Sequence, residues 1–241
     1  MTAVIPAAGK GTRFLPATRA VPKEMLPIGA KPALELIVDE ARAAGATKIV
    51  LVISEGKELI RSYFKDESDI VFVLQHEQRG LGHAVMQAAA ALEGEAGPVL
   101  VLLGDAVVIG GSASSEMAAV SAMHGGASVI GLQEVPAERV SRYGIAKMEP
   151  DGRLSDLVEK PAPHEAPSRL AVAGRYLLDS AIFRYLADQA PGVGGEIQLT
   201  DAIRRMLVEK PVYGRAYSGR RQDIGNPEGY FKALEAFYAN G

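Results

Sequence analysis

Near its start the chain reads Thr2-Ala3-Val4-Ile5-Pro6-Ala7-Ala8-Gly9-Lys10-Gly11-Thr12-Arg13. A short apolar run, Thr2–Pro6, passes directly into a loop with two glycines and two cations. Glycine lets a backbone approach a ligand closely and turn its N–H groups toward phosphate. A loop of this kind at the end of a buried strand suits the ligand-binding edge of an α/β sheet. Two familiar versions are excluded. Lys10 is followed by Gly11 rather than Ser or Thr, so the segment is no P-loop. Phe14 stands where a dinucleotide fingerprint has its third glycine.

Outward from this corner, apolar runs alternate with helical spacing. Leu34, Ile37, Val38 and Ala41 recur at helical intervals between Pro32 and Ala44, and Gly45 stops them. Lys48–Ile53 is apolar without alternation, the pattern of a parallel strand covered on both faces. Glu58–Phe64 reads as helix, Ile70–Leu74 as strand and Gly82–Glu93 as an Ala-rich helix. Pro98–Leu103 is another buried strand, ending at Gly104-Asp105. Ser115–His124 then reads as helix and Ser128–Val135 as strand. Gly144–Met148 and Leu154–Val158 flank the turn Pro150-Asp151-Gly152, which predicts a β-hairpin. Leu170–Leu178 and Val212–Tyr217 are further strands; Ala181–Asp188, Ile197–Val208 and Pro227–Tyr238 are helices. The fold expected is α/β, a doubly wound Rossmann-like mixed sheet with an added β-hairpin portion. No linker, charge block or repeat divides it, so one domain over residues 1–241 is expected.

Composition narrows the function. Lys and Arg number 26 against 29 Asp and Glu, a net charge of −3. That balance excludes a general nucleic-acid binder, which needs a basic excess. Cysteine is absent, which removes disulfides, thiolate catalysis and Cys-ligated zinc. His76, His83, His124 and His164 fit no metal-ligand spacing and read as surface or supporting residues. No apolar run approaches the roughly 20 residues that span a bilayer, and no secretory leader is visible. No membrane association and a cytoplasmic location are expected.

Two cations near the glycine loop, Arg13 and Lys23, point to a polyphosphate ligand. The full pattern extends from Gly9 through Thr12-Arg13 and Pro16 to Pro22-Lys23-Glu24-Met25-Leu26-Pro27. It resembles the sugar-1-phosphate nucleotidylyltransferases, whose pattern G-x-G-T-R-x-x-P followed by P-K-x-x-L-P is filled at every position. Further matches run in family order: Gln75, Gly80-Leu81-Gly82-His83-Ala84, Leu103-Gly104-Asp105, Tyr143-Gly144, Glu159-Lys160-Pro161 and Gln222-Asp223-Ile224-Gly225. The segments Leu170–Tyr176 and Gly195–Ile203 favour the uridylyl-transferring branch.

The resemblance implies roles. Loop residues Ala8, Gly9, Gly11 and Thr12 would hold the triphosphate, with Gln75 and Gly80 on the base. A Gln amide both donates and accepts, which suits an imide. Gly144, Glu159 and Val172 would hold the sugar, and Lys160 its phosphate. Arg13 and Lys23 would stabilise the leaving group, and Asp105 and Asp223 would bind Mg²⁺. On this reading the nucleotide half runs to about residue 125, the sugar-phosphate half covers about 126–225, and a C-terminal helix covers 226–241. Two departures stand out. Ala106 replaces a polar residue common in the family, and the segments after Phe64 and Gln75 are short where relatives carry inserts.

The reaction implied is uridylyl transfer from UTP to glucose 1-phosphate, with Mg²⁺ as cofactor and these two small molecules as partners. A homo-oligomer stays open. So do another pyrimidine nucleotide, another sugar 1-phosphate, and an inactive sugar-nucleotide-binding relative, although retention of Lys23, Asp105, Lys160 and Asp223 together argues against the last. An NAD-dependent oxidoreductase is disfavoured by Phe14.

Overall fold

A computed structural model describes residues 1–95 and 97–239. The strands are β1 (Thr2–Pro6), β2 (Pro27–Ile28), β3 (Lys31–Pro32), β4 (Lys48–Ile53), β5 (Ile70–Leu74), β6 (Val99–Leu102) and β7 (Ala106–Ile109), then β8 (Ser128–Glu134), β9 (Gly144–Met148), β10 (Leu154–Glu159), β11 (Leu170–Leu178), β12 (Val212–Ala216) and β13 (Arg220–Asp223). The helices are α1 (Ala33–Ala43), α2 (Glu58–Tyr63), α3 (Leu81–Gln87), α4 (Ala113–Met123), α5 (Ile182–Ala187), α6 (Leu199–Met206) and α7 (Pro227–Ala239). Residues 240–241, the end of the expected C-terminal helix, lie outside the described residues.

One nine-stranded sheet runs β10-β9-β11-β6-β1-β4-β5, with β8 on β11 and β12 on β8. Strands β6, β1, β4 and β5 are mutually parallel, as their unbroken apolar runs require. Strand β11 runs antiparallel to β6, β8 and β9 and so joins the parallel part to the hairpin β9–β10. Side chains alternate between two cores. Ala3, Ile5, Ile49, Leu51, Leu100 and Leu102 face α1, α2, α4 and α7. Val4, Val50, Val52, Val99 and Val101 face α3, α5 and α6. Helix α6 shows the rule in about two turns: Leu199, Ala202, Ile203 and Met206 lie on its buried stripe. No helix among the described residues is long and apolar enough to cross a membrane.

Two differences from expectation bear on the site. The helix expected over Gly82–Glu93 stops at Gln87 and continues as a 3₁₀ turn, Ala89–Leu92. The pairing of β7 with β13 has no counterpart in the sequence reading, because Arg220-Arg221-Gln222-Asp223 carries no apolar alternation.

Arg175 on β11 has no exposed surface. Its guanidinium donates to both Glu40 oxygens, at 2.7 to 3.1 Å, and to the carbonyl of Ala106 at 2.7 Å. Ser114 Oγ donates to Glu40 at 2.5 Å. Burial alone would raise the Glu40 pKa; the Arg175 charge and these hydrogen bonds outweigh it and hold the carboxyl below its ordinary value. A carboxylate depressed in the folded state stabilises above its unfolded pKa, about 4.3, and loses that contribution as pH falls further. Urea unfolding tests this. Arg175→Ala is expected to cost about 3–5 kcal/mol at pH 7, since it strands a buried charge. Glu40→Gln is expected to flatten the fall in stability as pH drops below about 4.3.

Candidate active site

The first structural task is to hold the glycine loop. The Ala7 amide donates to Val52 O at 2.7 Å, continuing β1 alongside β4. After Gly11 the chain folds as three 3₁₀ turns, Thr12–Phe14, Ala17–Arg19 and Lys23–Met25. Thr18 Oγ1 donates to the Gly11 carbonyl at 2.8 Å. Phe14 is buried and packs edge-on against Tyr230 of α7, so the position that excluded a dinucleotide fingerprint serves to anchor the loop. The third turn lays Lys23 over the first loop: a Cβ on Gly9 would sit 3.6 Å from Lys23 Nζ.

Lys23 Nζ lies 2.6 Å from Asp105 Oδ2. Burial opposes both charges. The Lys23 ammonium nevertheless rises above its ordinary pKa through Asp105, and the Asp105 carboxyl falls below its own through Lys23 and Arg221. Beneath them lies a second pair that the sequence did not reveal. Lys57 Nζ donates to Glu24 at 2.7 Å and to the Ala7 carbonyl at 2.6 Å, with both side chains buried. Burial pushes Glu24 up and Lys57 down.

These groups open on a cleft of about 440 Å³ lined by Ala8, Gly9, Arg13, Lys23, Gln75, Gly80 and Asp105. Arg13 is exposed on it and makes no ion pair among the described residues. Gln75 continues β5, its amide donating to Ile53 O at 2.8 Å. Gly80 starts α3 at φ 100°, and a Cβ there would lie 2.8 Å from Ile197 O and Glu196 Cβ. Only glycine fits that approach. It brings Glu196, quoted in the sequence only within the Gly195–Ile203 segment, to the cleft as a lining residue. Gly11 and Thr12 belong to the same loop, farther along it.

Asp223 reaches Asp105 through the β7–β13 pairing, which sets Asp223 opposite Ala106, and Ile224 N donates to Asp105 O at 2.8 Å. A Cβ on Gly225 would lie 2.9 Å from Asp223 Oδ1 and 3.1 Å from Asp105 Oδ2. Two carboxylate oxygens thus converge on one small cradle. Such a donor set fits a hard divalent cation whose other ligands are phosphate and water. No cluster of three or more acidic or His ligands occurs among the described residues. Ala106, the departure from the family pattern, is fully buried, and its carbonyl accepts from Arg175.

The hairpin builds a third group. Gly144 on β9 pairs directly with Glu159 on β10. Thr200 Oγ1, at the start of α6, donates to Glu159 Oε2 at 2.7 Å. A Cβ on Gly144 would meet both at 3.1 Å. Lys160 Nζ lies 3.6 Å from Glu159 Oε1. Val172 is placed differently: it is buried, and its side chain belongs to the core. Val172 and Asp223 also share a neighbouring cavity of about 270 Å³ with Tyr143 and Arg221. Arg221 stacks on Tyr143 at 5.8 Å. Thr200 and Lys57 are the supporting residues that sequence reading missed. Thr200 stood in the sequence only as part of the Gly195–Ile203 segment, with no site role assigned, and Lys57 lies in no quoted motif.

Comparison with known proteins identifies the family. A family model described as nucleotidyl transferase matches residues 2–240. A UTP–glucose-1-phosphate uridylyltransferase of Staphylococcus haemolyticus is 42% identical over 264 residues, covering 95% of this chain and 89% of its own length. A protein of the same name from Bacillus subtilis is 41% identical over 261 residues, covering 96% and 87%. Both spans exceed the 241 residues of this chain, so the relatives carry segments that it lacks. A crystal structure of UDP-glucose pyrophosphorylase complexed with UDP-glucose superposes with a TM-score of 0.90 at 34% identity, covering 100% of this chain and 99% of that one. With the family model matching nearly the whole length, the chain belongs to the nucleotidyl transferase family.

Proposed function

We propose that the chain transfers the uridylyl group of UTP to glucose 1-phosphate, giving UDP-glucose and pyrophosphate. The names of its relatives support the substrates. The observation that carries the chemistry is the Lys23–Asp105 contact at 2.6 Å, on a cleft that also presents Gln75 and Gly80. An oxygen of the sugar phosphate forms a bond to the α-phosphorus of UTP. The bond from that phosphorus to the bridging oxygen of the β-phosphate breaks, and pyrophosphate leaves. The nucleophile is already ionised at neutral pH, so no general base is required. Positioning and charge neutralisation must supply the acceleration.

Each group then has one task. Backbone amides from Ala8 to Thr12 cradle the triphosphate, and Arg13 and Lys23 neutralise the departing pyrophosphate. Gln75 and Gly80 receive the base. Glu159, oriented by Thr200, accepts from sugar hydroxyls beside Gly144 and the Val172 backbone, and Lys160 holds the sugar phosphate. Asp105 and Asp223 are the residues that would hold Mg²⁺, which when bound neutralises phosphate oxygens and draws two anionic substrates together.

Pyrophosphate release, measured for a panel of nucleoside triphosphates against a panel of sugar 1-phosphates, tests the reading. UTP with glucose 1-phosphate is expected to give the highest kcat/KM, and comparable use of ATP overturns the assignment. Asp223→Ala is expected to lower kcat by about two powers of ten, because one lost charge-stabilising contact in such a site costs about 3 kcal/mol. Full turnover in that variant would reduce β13 to a structural role.

The two lysines separate the halves of the site. Lys160→Ala should raise KM for glucose 1-phosphate and leave that for UTP near normal. Lys23→Ala should lower kcat and weaken UTP and pyrophosphate. Lys160→Arg should also be impaired, since a planar fork does not replace a compact ammonium. Steady-state kinetics with each substrate varied in turn decides; equal shifts in one substrate's KM for both alanine variants would refute the division.

A further inference from the structure

We propose that His83 sets the base preference of the cleft by fixing which end of the Gln75 side-chain amide faces the ligand. The proposal rests on the uridylyl reading and deepens it. Gln75 is almost wholly buried, yet lines the cleft. Its Nε2 lies 2.9 Å from His83 Nδ1. A neutral imidazole carrying its proton on Nε2 presents a lone pair at Nδ1, which takes the amide NH₂. The end left to the cleft is Oε1, to which no described residue donates a hydrogen bond.

An amide oxygen accepts and cannot donate. Uracil and thymine offer N3–H, a donor. Cytosine offers a lone pair at N3, and two acceptors facing each other leave both unpaired. His83 therefore converts a side chain that can read either pattern into one that selects imide bases. The device separates uracil and thymine from cytosine and does not divide uracil from thymine.

Several features favour the accepting form of His83. Burial, then the charge of Arg79, holds its pKa below the ordinary imidazole value against the opposing pull of Glu77, which favours the neutral ring. It lies in the first turn of α3, which begins where Gly82 N donates to Ile197 O at 2.8 Å. Gln87, one turn on, brings its Nε2 to 3.3 Å from both the His83 carbonyl and ring Nε2. The Gln75 contact is the shorter and governs the tautomer.

The test is kcat/KM for UTP and for CTP in the wild type, His83→Ala and His83→Asn. Asn places Oδ1 where His places Nδ1 and keeps the acceptor. His83→Ala is expected to lower the UTP-over-CTP ratio about tenfold or more, the value of one misdirected hydrogen bond, through KM with kcat unchanged. His83→Asn is expected to restore most of the ratio. Long-range ¹H–¹⁵N NMR of the wild type is expected to find Nδ1 unprotonated, a readout that needs neither variant. An unchanged ratio in His83→Ala, or a protonated Nδ1, overturns the proposal. If the wild type uses UTP and CTP equally with glucose 1-phosphate, the role of His83 fails while nucleotidyl transfer stands. If it uses neither, the uridylyl reading fails and the NMR result still decides the tautomer.

Discussion

The Lys23 ammonium and the Asp105 carboxylate, 2.6 Å apart, form the contact that the surrounding structure is arranged to keep. Each is steadied through its neighbour in the chain. Glu24, next to Lys23, is gripped by Lys57, which also holds the Ala7 carbonyl at the end of β1. Ala106, next to Asp105, gives its carbonyl to Arg175, whose guanidinium is paired with Glu40. Two buried ion pairs therefore flank the pair at the cleft. Burying ion pairs costs desolvation and is a weak source of net stability. Their contribution here is position, because a charged side chain in a cleft is only as well placed as the backbone beside it.

The second acid arrives by a different route. Strand β13 contains Arg220, Arg221, Gln222 and Asp223 and pairs with β7, immediately after Asp105. Antiparallel register fixes which residues face each other, so Asp223 falls opposite Ala106 and its carboxylate converges with that of Asp105 at Gly225. A one-residue slip would turn Asp223 to the other face. Arg221, two residues earlier and on the same face, adds its charge to the field that keeps Asp105 ionised.

Much of this was legible in the chain. Unbroken apolar runs marked β1, β4 and β6, because a strand covered on both faces has no polar side to show. The Pro150-Asp151-Gly152 turn marked the hairpin, and the glycine loop with its two cations marked the phosphate corner. What stayed hidden depends on partners distant in sequence. Four polar residues form β13 only because β7 is waiting for them. Lys57 reads as one more surface lysine until the fold brings it to Glu24. Arg175 was visible as a lone charge in the apolar run Leu170–Leu178, and a charge in such a place requires a carboxylate; the sequence could not say that Glu40 supplies it. His83 showed no metal spacing, and its role at Gln75 appears only when β5 and α3 are set side by side.

Lys160 shows how the hairpin aims a long side chain. Successive residues of a strand point to opposite faces, so Glu159 and Lys160 in regular β conformation would diverge. Among the described residues Lys160 is the one non-glycine with positive φ, 45°. That left-handed kink breaks the alternation and leaves Lys160 Nζ only 3.6 Å from Glu159 Oε1. A non-glycine residue there costs of order 1–3 kcal/mol. The conformation is held because the Lys160 amide donates to Tyr143 O at 3.0 Å, just beyond the Gly144–Glu159 pair. Pro161 then ends the ladder by offering no N–H. The carboxylate proposed for sugar hydroxyls and the ammonium proposed for the sugar phosphate thus come to one side of the sheet from adjacent residues, and backbone strain is what puts them there.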